Sequence, residues 1–109
     1  MNQTYEPDIK KVRDKDEGRK IALLESAKRG DVDSTKSLLD EGTDLEARDD
    51  DGRTALILAA DCGNDEILEL LADRGADINA RDHYGWSALT AAIFYNDSAM
   101  VDFLLYSGG

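Results

Sequence analysis

The chain carries one cysteine, Cys62, and one histidine, His83. A single cysteine excludes an intrachain disulfide and a cysteine metal cluster, and a single histidine excludes a multi-histidine metal site. Proline occurs once, at Pro7. No apolar run approaches the roughly 18 residues needed to cross a bilayer. The N-terminal stretch MNQTYEPDIKKVRDKD lacks the apolar core of a secretory signal, so the expectation is an intracellular, cytoplasmic protein with no membrane partner. Gly-rich phosphate loops are absent. Basic charge is scarce as well: 13 Lys and Arg stand against 24 Asp and Glu, a formal net charge of −11. A body so negative repels phosphates and disfavours a nucleic-acid partner. What remains is 109 residues, 41% of them hydrophobic. That length makes one small domain, and that apolar fraction argues against a fully disordered chain.

The charge is unevenly placed. Residues 1–20 hold six basic and five acidic side chains, a net +1, so residues 21–109 carry −12. This contrast separates a polar N-terminal tail, residues 1–15, from an acidic body. The plainer expectation for the tail is a solvated segment, because termini without an apolar face seldom order. The sharper alternative uses Ile9 and Val12, three residues apart, as one apolar turn that packs on the body as a cap.

The body repeats with a period of 33 residues. Gly30, Gly63 and Asn96 form one series, and Gly42, Gly75 and Gly108 another. Ala22, Ala55 and Ala88, then Leu23, Leu56 and Leu89, then Leu38, Leu71 and Leu104, and finally Asp16, Asp49 and Asp82, keep the same interval. Ala47-Arg48-Asp49 recurs as Ala80-Arg81-Asp82. Each series has a physical reading. Thr54 and Ser87 precede apolar runs and suit helix N-caps. Gly30 and Gly63 follow such runs and suit the left-handed C′ position, for which asparagine, here Asn96, is next best. Asp31, Asn64 and Asp97 then cap a second short helix, which Gly42, Gly75 and Gly108 close. Leu56, Ala59 and Ala60 share one helical face, and Ile67, Leu68, Leu70 and Leu71 form a wide apolar stripe. The polar, Asp-rich segments 43–53 and 76–86 read as loops or tight hairpins. The unit is helix, turn, helix, hairpin loop, repeated about three times, which predicts an all-α solenoid.

Residues 49–82 carry the resemblance to a known family. Asp49-Asp50-Asp51-Gly52-Arg53-Thr54-Ala55-Leu56-Ile57-Leu58-Ala59-Ala60-Asp61-Cys62-Gly63-Asn64, continued by Leu70-Leu71-Ala72-Asp73-Arg74-Gly75-Ala76-Asp77-Ile78-Asn79-Ala80-Arg81-Asp82, resembles a whole ankyrin repeat. The third copy matches from Asp82 to Gly108, and the first matches in its second half. The resemblance implies an ankyrin-repeat solenoid of three helix-turn-helix pairs over residues 16–109, with repeats about 16–48, 49–81 and 82–109. The family usually places proline at the first helical position and histidine two residues later. This chain has Ala55 and Ile57, then Ala88 and Thr90. Losing proline removes loop rigidity, and losing the histidine removes a tie between neighbouring loops. A marginally stable stack is the expectation, since three repeats are near the minimum. The last helix is crowded with Met100, Val101, Leu104 and Leu105, some of which should face the space of a further repeat.

No catalytic constellation is present, so no enzyme and no cofactor are expected. Ser26 has no histidine at a matching repeat position. Cys62 sits in a turn position without a basic neighbour in sequence, and thiol reactivity needs one. Asp49-Asp50-Asp51-Gly52 lacks the alternating ligand spacing and distal glutamate of a calcium loop and reads as a hydrated turn.

The resemblance implies binding of a partner protein through the concave loop and inner-helix surface. Carried over by register, the partner-binding candidates are Asp50, Asp51, Arg53 and Asp61 in the second repeat, and His83, Tyr84, Trp86, Phe94 and Tyr95 in the third. Aromatic residues in such places make hot spots, and the adjoining carboxylates call for a partner with a basic plus apolar patch. The bland alternatives remain open: Trp86 folds over a neighbouring loop, Phe94 plugs the open end, and the carboxylates serve solubility. Two other functions also stay open, a homodimer through the uncapped C-terminal edge and a regulatory or targeting fragment of a larger protein.

Overall fold

A computed structural model describes residues 5–107, with side chains from Asp16 onward. Six helices follow one another: α1 (Tyr5–Arg29), α2 (Val32–Asp40), α3 (Ala55–Asp61), α4 (Asp65–Asp73), α5 (Ala88–Phe94) and α6 (Ser98–Tyr106). No strand occurs among the described residues. The helices pair as α1 with α2, α3 with α4 and α5 with α6. Helix α3 lies between α1 and α5 and packs on both, and α2 packs on α4.

The local chemistry explains each boundary. Thr54 Oγ1 accepts the Ile57 N–H at 3.3 Å and Ser87 Oγ accepts the Thr90 N–H at 3.2 Å, as their positions predict. Helices α1, α3 and α5 end in one shared turn. In it Asp31 N–H donates to Ser26 O, Asn64 N–H to Ala59 O and Asp97 N–H to Ala92 O, at 2.8–3.0 Å. The turn needs a left-handed residue, and Asn96 supplies it with φ 60° where the other two repeats use glycine. Asp31 and Asp97 cap α2 and α6 through the N–H groups of Ser34 and Met100.

Asn64 departs from the expected N-cap role. Its side chain makes no cap bond to α4. Instead Asn64 Nδ2 donates to the carbonyls of Ala27, at 2.6 Å, and Lys28, at 3.1 Å. An amide can donate where a carboxylate cannot, and the last carbonyls of a helix lack intrahelical donors. Asn64 thus ties the second repeat to the end of α1.

The expected tail, residues 1–15, overlaps the first helix. The backbone from Tyr5 is helical and runs without interruption into the first repeat. Pro7 falls in the first turn, where its missing N–H costs no hydrogen bond. The Lys, Arg and Glu residues that follow are good helix formers. The side chains of Ile9 and Val12, and Gly108 of the second glycine series, lie outside the described residues.

The core is built from the repeated apolar positions. Leu23, Leu56, Ile67, Leu68, Leu71, Met100 and Leu104 are buried, with alanines of α3 and α5 filling the close contacts between helices. Ser26 is also buried; its hydroxyl bonds Leu23 O and the Thr35 hydroxyl, which makes it a packed structural residue. Leu105, in contrast, is exposed, as are Ile93 and Tyr106.

Candidate functional site

The loops between helix pairs are compact hairpins organised by the Asp49 and Asp82 positions. Asp49 Oδ1 accepts the N–H groups of Asp51 and Arg53, both at 2.9 Å. Asp82 Oδ1 accepts those of Tyr84 and Trp86, at 2.8 and 2.9 Å. The turn carboxylates therefore serve the backbone. Adjacent hairpins are joined directly: the His83 N–H donates to Asp51 O at 2.9 Å. Arg48 Nη1 donates to Gly52 O at 2.6 Å and to Arg81 O at 2.8 Å. Arginine thus supplies a tie between loops in a chain that lacks the family's histidine.

Between these two hairpins lies a groove of about 210 Å³. Arg53, Asp61, Tyr84, Trp86 and Tyr95, all candidates from the sequence, line it. Ile57, Asp82 and Ala91 complete its walls. Ile57 stands where the family has histidine, so its apolar side chain changes the character of this wall. Sequence reasoning singled out that departure without placing it in the site. The 33-residue spacing of Asp82 from Asp49 was the available signal for Asp82.

The remaining candidates fall outside the groove. Asp51 pairs with Arg53 Nη2 at 2.8 Å. Asp50 is exposed at the hairpin tip. The His83 ring covers Gly52, and an added Cβ there would run into its Cδ2. Phe94 is exposed and stacks edge-on against Trp86, centroids 5.4 Å apart, and against Tyr95, 5.0 Å apart. Trp86 is half-buried, between the two roles weighed for it.

The electrostatics centre on Arg53. Its guanidinium reaches Asp51 at 2.8 Å, Asp49 at 3.3 Å and Asp61 at 3.6 Å. Partial burial opposes its charge, but the three carboxylates outweigh burial and raise its pKa. The acidic strip expected from the sequence is thus partly neutralised from within. Tyr95 lies close enough to Asp61 that the carboxylate charge, then burial, raises its phenol pKa. Cys62 is exposed beside the groove; burial first, then Asp61, push its thiol pKa up, which leaves the thiol protonated and inert at neutral pH.

No group of His, Cys, Asp and Glu among the described residues is placed to hold a metal ion. No helix of the described residues is long and apolar enough to cross a membrane. Comparison with protein families matches ankyrin repeats, in three copies, over residues 5–82 and 23–109. Comparison with curated proteins gives no match.

Proposed function

The chain belongs to the ankyrin-repeat family, and from that premise we propose that it docks a partner protein in the groove between its second and third helix pairs, without chemistry of its own. Ankyrin repeats are non-catalytic protein–protein interaction modules. The observation that supports this docking site is the convergence of Tyr84, Trp86 and Tyr95 with Asp61 and Asp82 on one concave surface. Tyr84 leaves 76% of its surface in water, an exposure that burial against a partner would relieve. Aromatic side chains beside carboxylates favour a partner patch that is apolar with flanking Lys or Arg.

The test compares capture of partners from lysate by wild type and by a Tyr84→Ala, Trp86→Ala double variant. The expected outcome is a protein held by wild type and weakened by more than about 2 kcal/mol in the variant. Circular dichroism checks that the helices persist. Equal capture by both proteins removes the site from this groove.

One observation favours a second reading, self-association through the exposed α5–α6 edge. Ile93 is 61% exposed, whereas its counterparts Ala27 and Ala60 are 0% and 2% exposed between neighbouring helices. Leu105 extends the same edge. Light scattering across protein concentration tests it, and a monomer at high concentration sinks it.

A further inference from the structure

We propose that the groove takes the guanidinium of one arginine from the partner segment, held by Asp61 and Asp82 and flanked by Trp86 and Tyr84. This rests on the docking reading above and specifies which side chain enters the groove. Charge is the first argument. Three carboxylates, Asp49, Asp51 and Asp61, surround the single guanidinium of Arg53, and a fourth, Asp82, lines the same groove. Arg53 holds Asp51 and Asp49 closely, but Asp61 only at 3.6 Å. Among the described residues, no cation lies within ion-pairing distance of Asp82. Its Oδ1 is committed to two backbone N–H groups, and its second oxygen remains to accept another donor. Surplus negative charge in a concave wall concentrates the field on whatever enters.

The walls are the second argument. Ring faces attract cations, most strongly for tryptophan, and arginine is the cation that most often uses them. A guanidinium is planar, weakly hydrated and able to bond a carboxylate through two N–H groups at once. An ammonium is a compact, strongly hydrated point charge that loses more on entering. Ile57 and Ala91, themselves buried, form an apolar floor under the methylene stem. The size agrees: 210 Å³ lies below the roughly 300 Å³ at which pockets for whole small-molecule ligands begin. Arg53 already sets a guanidinium nitrogen 3.6 Å from Asp61, one of the two carboxylates of the proposed site.

Trp86 is the only tryptophan, so its indole N–H resonance and fluorescence report on this groove alone. The probes are blocked pentapeptides Gly-Gly-Xaa-Gly-Gly with arginine, citrulline, lysine or norleucine at the centre, titrated into the full chain. Citrulline keeps the shape of arginine and removes the charge. The expected result is saturable movement of the Trp86 signal by the arginine peptide, about 10-fold tighter than citrulline or norleucine and at least about 3-fold tighter than lysine. Asp61→Asn and Asp82→Asn should each weaken arginine binding by about 5-fold or more with the helical spectrum unchanged. Added salt should weaken it further.

Equal response to citrulline or norleucine overturns the proposal. So does no response to the arginine peptide at about 20 mM, or a change of less than about 2-fold in both Asn variants. Equal affinity for lysine overturns the choice of arginine. The partner-capture experiment reads separately: capture lost in the double variant together with a silent arginine titration keeps the docking site and removes its arginine.

Discussion

Helices α3 and α5 occupy the same position in successive repeats, begin with equivalent caps and end in the same turn, yet they present opposite surfaces. Ala55 to Ala60 of α3 are all buried, whereas α5 buries Ala88, Ala91 and Ala92. Register pairs Ala60 with Ile93, Asp61 with Phe94, Cys62 with Tyr95 and Arg53 with Trp86. In the central repeat these side chains are small or tied into an ion-pair cluster. In the third they are large and apolar, with Ile93, Phe94 and Tyr95 largely in water and Trp86 half-buried. The backbone is set by caps, turns and small residues that recur, while the neighbour on either side decides which side chains are used for holding the stack. Burial is therefore a property of position in the stack as much as of residue type.

The strongest way to break the comparison is through the central core. Leu71 is fully buried, so Leu71→Ala should cost about 3–5 kcal/mol in urea unfolding. Leu105 is 58% exposed on the edge of α6, so Leu105→Ala should change stability by less than about 0.5 kcal/mol. Similar losses from both would mean that the edge is covered in solution, which favours self-association.

The hairpins sharpen the contrast at a smaller scale. Gly52 and Gly85 are equivalent, with φ of 81° and 84°. Any L side chain there is strained, which costs on the order of 1 kcal/mol. At Gly85 an added Cβ meets nothing within 4 Å. At Gly52 it runs into the His83 ring. Gly85→Ala should therefore cost about 1 kcal/mol and Gly52→Ala about 2–3 kcal/mol by thermal or urea unfolding. Adding His83→Ala to Gly52→Ala should recover the steric part and leave the backbone part. A full cost retained in that double variant would assign the loss to backbone strain alone.

The architecture was legible because helical caps, left-handed turns and apolar stripes are local and repeat. Thr54, Ser87, Gly63 and Asn96 could each be read from their immediate neighbours. The groove was legible only by register. Arg53, Asp61, Tyr84, Trp86 and Tyr95 could be grouped on one surface because the repeat fixes where each position points. Interactions that cross between repeats were not legible. Asn64 and Asp97 are equivalent, and both looked like N-caps. The choice of Asn64 to bond Ala27 and Lys28 depends on a carbonyl pair more than 30 positions away in sequence. Arg53 was counted among partner-binding residues, but its three carboxylate neighbours engage it internally. The continuity of α1 through residue 15 was missed because a polar segment without an apolar face gives no periodic signal.

The finest test lies at the seam between the second and third repeats, where the Asn64 solution is unavailable. Asp97 has no amide to donate, so it caps α6 and leaves its carboxyl beside that of Asp65. Asp65 Oδ1 is buried without a hydrogen-bond partner. Burial first, then the neighbouring Asp97 carboxyl and the charge of Glu69, push the Asp65 pKa from 3.8 to about 6. The folded state then holds a proton between pH 3.8 and 6 that the unfolded state has released, so stability falls as pH rises through that window. Asp31 works in the opposite direction. Bonds from the Ser34 side chain and N–H hold its pKa below 3.8, so its stabilisation is lost only in more acid solution, outside that window. Thermal unfolding of wild type should therefore show a melting temperature that declines from pH 4 to pH 7. The underlying change is on the order of 1–2 kcal/mol once solvent screening is allowed for. Asp65→Asn removes the titrating group and should flatten that decline while raising stability at pH 7. Asp97→Asn should flatten it only in part, because burial of Asp65 remains. A wild-type profile that rises from pH 4 to 7, or an unchanged slope in Asp65→Asn, would mean that the second repeat meets the third without this conflict, and that the two seams of the stack are held alike.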